Sequence, residues 1–161
     1  MKPVWIENEH YLFLCLYQID LITAMGVVET LKHVTDGRVR LSLFRDIIVT
    51  YARPFSGNRG RTTSKHRLKR SSVPTEYRGL HDTLIRYRQT LFAHSDLKAY
   101  NPRVSMFEAA GEMQFPMTFW LLDYDTLEEC LPELESLIQG VYDALEVEIE
   151  RIQSTLRKPS V

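Results

Sequence analysis

From Leu14 onward, apolar residues return at alternating steps of three and four: Leu14, Tyr17, Leu21, Ala24, Val28, Leu31. An α-helix turns such a series onto one side and a strand does not, so this stretch is committed to a helix with one buried face. Asp36-Gly37 is expected to stop it. A second helix is expected from about Val39, with Phe44, Ile47, Ile48, Tyr51, Ala52 and Phe55 as its apolar face and Pro54 near its end. A third begins near Pro74-Thr75-Glu76 and carries Tyr77, Leu80, Leu84, Tyr87 and Leu91. The next step of that series lands on His94, before Ser95, Asp96 and Asn101-Pro102 break the helix. The last runs from about Leu131 to Arg157, with Pro132 in its first turn and a stripe from Leu134 through Ile138, Val141, Leu145, Ile149 and Ile152 to Leu156.

Four helices, each with one apolar face, most simply make an all-α antiparallel four-helix bundle, and 161 residues suffice for a single domain with a real core. The stretch from about 102 to 121 departs from helical spacing. There RVSMF and MQFPMTFW flank EAAGE, which predicts a small hairpin or extended insertion before the last helix. The run from Tyr11 to Val28 has roughly the length of a membrane span, but Gln18 and Asp20 interrupt it. A buried helix in a cytoplasmic protein, with no secretory leader and no membrane partner, is the expectation. Cys15 and Cys130 form neither a zinc motif nor a CxxC pair, and the chain has no glycine-rich phosphate loop, so neither metal nor cofactor is expected.

The net charge of −1 conceals segregation. Between Ile47 and Thr75 there is no acid, while Arg53, Arg59, Arg61, Lys65, Arg67, Lys69 and Arg70 are basic. From Asp123 to Glu150 there are ten acids and no Lys or Arg. The segment from Arg59 to Arg70, within a polar loop of about 57–74, reads in two ways. It is a solvated, mobile connector, or it attracts a phosphate backbone and makes RNA binding salt-dependent.

Two residues near the end of the third helix bear on chemistry. Alone, Arg88 suits a flank position paired with an acid, and His94 suits the frayed end of a packed helix. Together they are the minimum for cutting RNA without metal: a histidine to take the proton from a 2′-hydroxyl and a guanidinium to stabilise charge on the phosphate. Six residues of straight helix would separate them by roughly 120° and about 9 Å, so one copy would not aim both at one phosphate. Two copies about a two-fold axis would, which predicts a composite site in a homodimer. Arg53 is read either as positive charge beside that site or as a salt-bridged surface residue. Asp96 either holds the His94 ring or caps a turn.

RQTLFAHSD on the third helix of such a bundle resembles the signature of the HEPN superfamily, an arginine followed after four to six residues by histidine. LIRYRQTLFAHSDL, with LFRDIIVTYARPFS before it, is similar to the abortive-infection U-type branch. The resemblance implies a homodimeric, metal-independent endoribonuclease serving as a toxin or in defence against bacteriophage, with Arg88 and His94 as the catalytic pair. Gln89 stands where the superfamily often has Asn, in a position to orient the scissile phosphate. Asp96 stands where toxins paired with a nucleotidyltransferase commonly carry tyrosine, which points away from that version. Two other readings stay open: a non-catalytic module of the same fold that binds RNA, a nucleotide or a protein, and an antitoxin or assembly scaffold whose acidic last helix docks a basic partner.

Overall fold

The first stripe forms α1, Glu9–His33, whose side chains Leu14, Tyr17, Leu21, Ala24, Val28 and Leu31 are all buried. The computed structural model describes residues 8–61, 65–92, 97–118 and 124–156. Asn8 starts α1 by accepting from the Tyr11 amide at 3.0 Å. The helix ends at His33, three residues before the expected stop. Asp36 instead opens α2, Gly37–Ala52, its carboxylate accepting from the amides of Arg38 and Val39 at 2.9 and 3.0 Å. Arg40 closes the corner. Its Nη1 donates to the carbonyls of Leu31 and Val34 at the end of α1, and its Nε donates to Glu128. The polar residues that interrupt α1 are likewise paired: Gln18 with Tyr142 and Glu146, and Asp20 with Arg53.

Pro54 ends α2 in a 3-10 turn, Arg53–Phe55. The described residues of the basic segment, 57–61 and 65–74, then form a strap across the helices. β1, Asn58–Arg59, pairs antiparallel with β2, Lys65–His66, and the Leu68 amide donates to the Pro54 carbonyl at 2.7 Å. Val73, next along the chain, is 1% exposed within the core. Pro74 lies so close to the last helix that a Cβ at Gly140 would stand 2.5 Å from its ring, so glycine is what permits the approach.

After a 3-10 turn at Thr75–Tyr77 comes α3, Arg78–Tyr87, which passes into a π-helical turn, Arg88–Phe92. The third helix was expected to run on to His94; its α-helical part stops at Tyr87. Side chains satisfy the carbonyls around the wider turn: Thr90 Oγ1 donates to the Arg86 carbonyl at 2.9 Å, and Tyr100 Oη, from the short α4 (Leu97–Tyr100), donates to that of Leu91 at 2.7 Å.

The insertion is a hairpin. β3 (Arg103–Val104) pairs with β6 (Met117–Thr118), and β4 (Phe107–Ala109) pairs with β5 (Glu112–Gln114). Its tip turns on Ala110 and Gly111, both at positive φ (52° and 80°), as in the primed turns that suit strand twist. Every described residue from Arg103 to Thr118 is exposed. α5, Tyr124–Glu129, leads directly into α6, Leu131–Leu156.

The fold is mainly helical, with small strands. α1 lies against both α2 and α6, and α3 touches both α2 and α6. Leu134, Leu137, Ile138, Val141, Leu145, Ile149 and Ile152 face this core from α6. Leu156 was expected to continue the stripe but is 46% exposed, because Gln153 has already reached Tyr11 near the start of α1 and the helix outruns its neighbour. By length and composition α1 could cross a membrane, yet its main stripe is spent on this core. Cys15 and Cys130 are free and partly buried.

Candidate nucleic-acid interface

Along the strap, exposure alternates residue by residue. Lys65, Arg67 and Lys69 point outward, while His66 and Leu68 turn in. That period of two is the pleat of an extended chain, and it gathers three cations on one face. The inward residues hold the strap down. The His66 ring stacks on Phe13 with centroids 4.4 Å apart, and its Nε2 lies 3.1 Å from Glu9, whose carboxylate also accepts from the Arg61 amide. The guanidinium and ammonium groups of Arg59, Arg61, Lys65, Arg67 and Lys69 have no ion-pair partner among the described residues.

The charge segregation of the sequence therefore survives folding. Acids of the C-terminal half pair with cations from elsewhere: Glu135 with Lys32, Glu128 with Arg40, Glu148 with Arg151. They do not neutralise the strap. Arg70 differs from its neighbours. Its Nε and Nη2 grip both oxygens of Asp82 at 2.9 and 2.7 Å, which holds the Asp82 carboxyl below the usual carboxylate range. Arg53 is similarly engaged, 3.2 Å from Asp20.

Arg67, Leu68 and Lys69 form a ridge between two clefts. One, of about 440 Å³, opens toward His10, Leu145 and Glu148 on α1 and α6. The other, of about 370 Å³, is walled by Arg67, Leu68, Lys69 and Arg70 on the strap side. Phe55, His81, Ile85 and Gln89 close its opposite side. The fold thus brings Gln89 together with Arg67, Lys69 and Arg70, four residues singled out from sequence.

His81 at this second cleft was not singled out. It is 4% exposed, and its Nδ1 lies 2.8 Å from the hydroxyl of Tyr51, which is fully buried. Phe55 meets the His81 ring edge-on at 4.5 Å and the Tyr51 ring at 5.4 Å. Burial pushes the His81 pKa down, with the Asp82 charge opposing and Arg70 adding to the shift. Burial, helped by the Asp82 charge, pushes the Tyr51 hydroxyl far up, so it stays protonated. The signal was present in the sequence: Tyr77, His81 and Leu84 follow the same three-and-four spacing as Tyr77, Leu80 and Leu84.

Arg88 opens the π turn, is half-buried, and has no carboxylate partner among the described residues. The guanidinium of Arg45, reaching across from α2, stands 5.8 Å over the Phe92 ring at the other end of that turn. His94 and Asp96 lie outside the described residues. Among the described residues no group of three His, Cys, Asp or Glu side chains is arranged to hold a metal ion. No protein-family model, curated protein or solved structure matches this chain.

Proposed function

We propose that α1, α2, α3 and α6 form an antiparallel four-helix bundle of the HEPN type, and that the protein is a cytoplasmic ribonuclease. In this reading it binds single-stranded RNA along the strap and cuts it without metal at a composite homodimer site carrying Arg88 and His94. Its cellular role is that of a toxin or antiphage effector, restrained by a regulatory protein. One observation carries the reading. Gln89, the residue after Arg88, stands on the wall of a cleft whose facing wall presents Arg67 and Lys69, cations with no ion-pair partner among the described residues. A phosphate chain drawn to those cations passes beside the turn that bears Arg88.

Incubating a mixed cellular RNA in excess EDTA with wild type, Arg88→Ala and His94→Ala, each checked for folding by circular dichroism, tests the assignment. Wild type leaves 2′,3′-cyclic phosphate ends, and both folded variants lose activity by a factor of 100 or more, on the order of the contribution of a general base. Cleavage that persists in both variants rejects the pair. If none of the three proteins cuts while all bind RNA alike, the non-catalytic reading replaces this one. Binding should weaken with salt, and neutralising Arg67 and Lys69 together should lower the slope by roughly 1.4, about 0.7 for each lost phosphate contact on a single strand.

A further inference from the structure

Cleavage at Arg88 and His94 leaves the Tyr51–His81 pair without a part, although it is a deeply buried polar pair beside the cleft. Its protonation follows from the partners available. The Tyr51 hydroxyl is fully buried and has only the Nδ1 of His81 within hydrogen-bonding reach among the described residues. Leaving that O–H unpaired would be costly, so it donates to Nδ1, and the ring proton sits on Nε2. Nε2 has no protein partner among the described residues and is not among sealed, unsatisfied side-chain atoms there, and His81 lines the cleft. The side of the cleft away from the strap therefore carries one fixed, neutral donor.

Around that donor the chemistry is graded. Arg67 and Lys69 are exposed on the strap side, whereas Phe55, Leu68 and Ile85 are half-buried. Phe55 is held in orientation by an edge contact with the His81 ring and a tilted one with the Tyr51 ring. Cations at the mouth, an oriented aromatic and a neutral donor fit a nucleotide: phosphate outside, flat base inside, a base oxygen on the donor. A volume of about 370 Å³ is at the low end for ligand sites and suits one such unit.

We propose that this cleft binds one nucleotide unit of single-stranded RNA. Arg67 and Lys69 hold its phosphate, Phe55 and Ile85 face its base, and His81 Nε2–H donates to a base carbonyl oxygen. The assignment rests on the RNA reading above and extends it from backbone to base. Uracil and guanine present such a carbonyl and adenine does not, so the site favours keto bases over adenine even though adenine stacks well. Gln89 supplies a second hydrogen-bonding group at the same wall.

The test uses the full chain with uridine monophosphate, inorganic phosphate, and octamers of uridine and of adenosine whose 2′-hydroxyls are methylated, so that they bind without being cut. Binding is followed by calorimetry and by the side-chain ¹H–¹⁵N signals of histidine. In wild type the His81 Nε2 signal shifts with uridine monophosphate and the uridine octamer but not with phosphate, and the uridine octamer binds several-fold more tightly than the adenosine octamer. Exchanging both exposed cations, Arg67→Gln with Lys69→Gln, weakens the two octamers alike by on the order of tenfold. Gln89→Ala lowers the uridine preference, as does His81→Phe where it folds. If wild type binds the uridine octamer while the His81 signal stays fixed and the double variant binds as well, the cleft is not the site and the RNA reading survives it. If neither octamer binds, the RNA reading fails too. A His81 shift with the monophosphate alone overturns the RNA assignment in favour of a free nucleotide.

Discussion

The strap and the hairpin invert what their compositions imply. Residues 57–74 are polar and basic, yet among those described two inward side chains, the Leu68 amide on the Pro54 carbonyl and the buried Val73 tie the segment to the helices. Residues 103–118 carry Val104, Met106, Phe107, Met113, Phe115 and Met117, all between 48% and 66% exposed. Order along a connection is decided by whether a few residues reach the core, not by how apolar the segment is. A hairpin contributes its own hydrogen bonds but no burial, whereas a strap with one valine in the core shares the cooperativity of the whole fold.

Substitutions would break that comparison or sharpen it. The largest effect is expected from Val73→Ala, which removes two buried methyl groups and should lower stability by about 2 kcal/mol in urea denaturation. Tyr51→Phe should lower it by about 1.5 kcal/mol, because it leaves His81 Nδ1 without its partner in a buried setting. His81 also makes stability depend on pH, with a definite sign. Its folded pKa lies below the unfolded value of about 6.5, so the unfolded chain binds the proton more readily. That contribution is fully present above about pH 6.5 and is lost as pH falls through the folded value. The urea midpoint of wild type should therefore drop more between pH 7.5 and pH 5 than that of His81→Gln; equal drops would remove His81 from the account. Smallest of all, Phe115→Ala should change stability by no more than about 0.5 kcal/mol. A loss there matching that of Val73→Ala would mean the hairpin is anchored after all and the comparison is wrong.

Much of this was legible in the spacing of apolar residues. Leu14 through Leu31 of α1 and Leu134 through Ile152 of α6 are buried because a helix has one period and a core has one side. Three features were legible only in part or not at all, each for a physical reason. His81 is buried through a partner 30 residues away, and local spacing cannot name the hydroxyl that makes a buried imidazole tolerable. The strap's alternation from Lys65 to Lys69 was present as a period of two, but turn formers and charge on either side masked it. The π turn at Arg88–Phe92 has no signature in RQTLF, whose residues all suit an α-helix. It is held by Thr90 within the turn and, from outside it, by Tyr100 and by Arg45 over Phe92. Of the candidate site, the cations and Gln89 could be singled out from their types; that they share one cleft required the path of the strap.

That π turn has a genetic meaning. It closes each ring around one residue more than an α turn, so the loss of a single codon between Arg88 and Phe92 would let the ladder continue as ordinary α-helix. Everything after it would then leave the helix rotated by ~100°. At this point of the chain a deletion of one residue redirects the backbone by a full helical step.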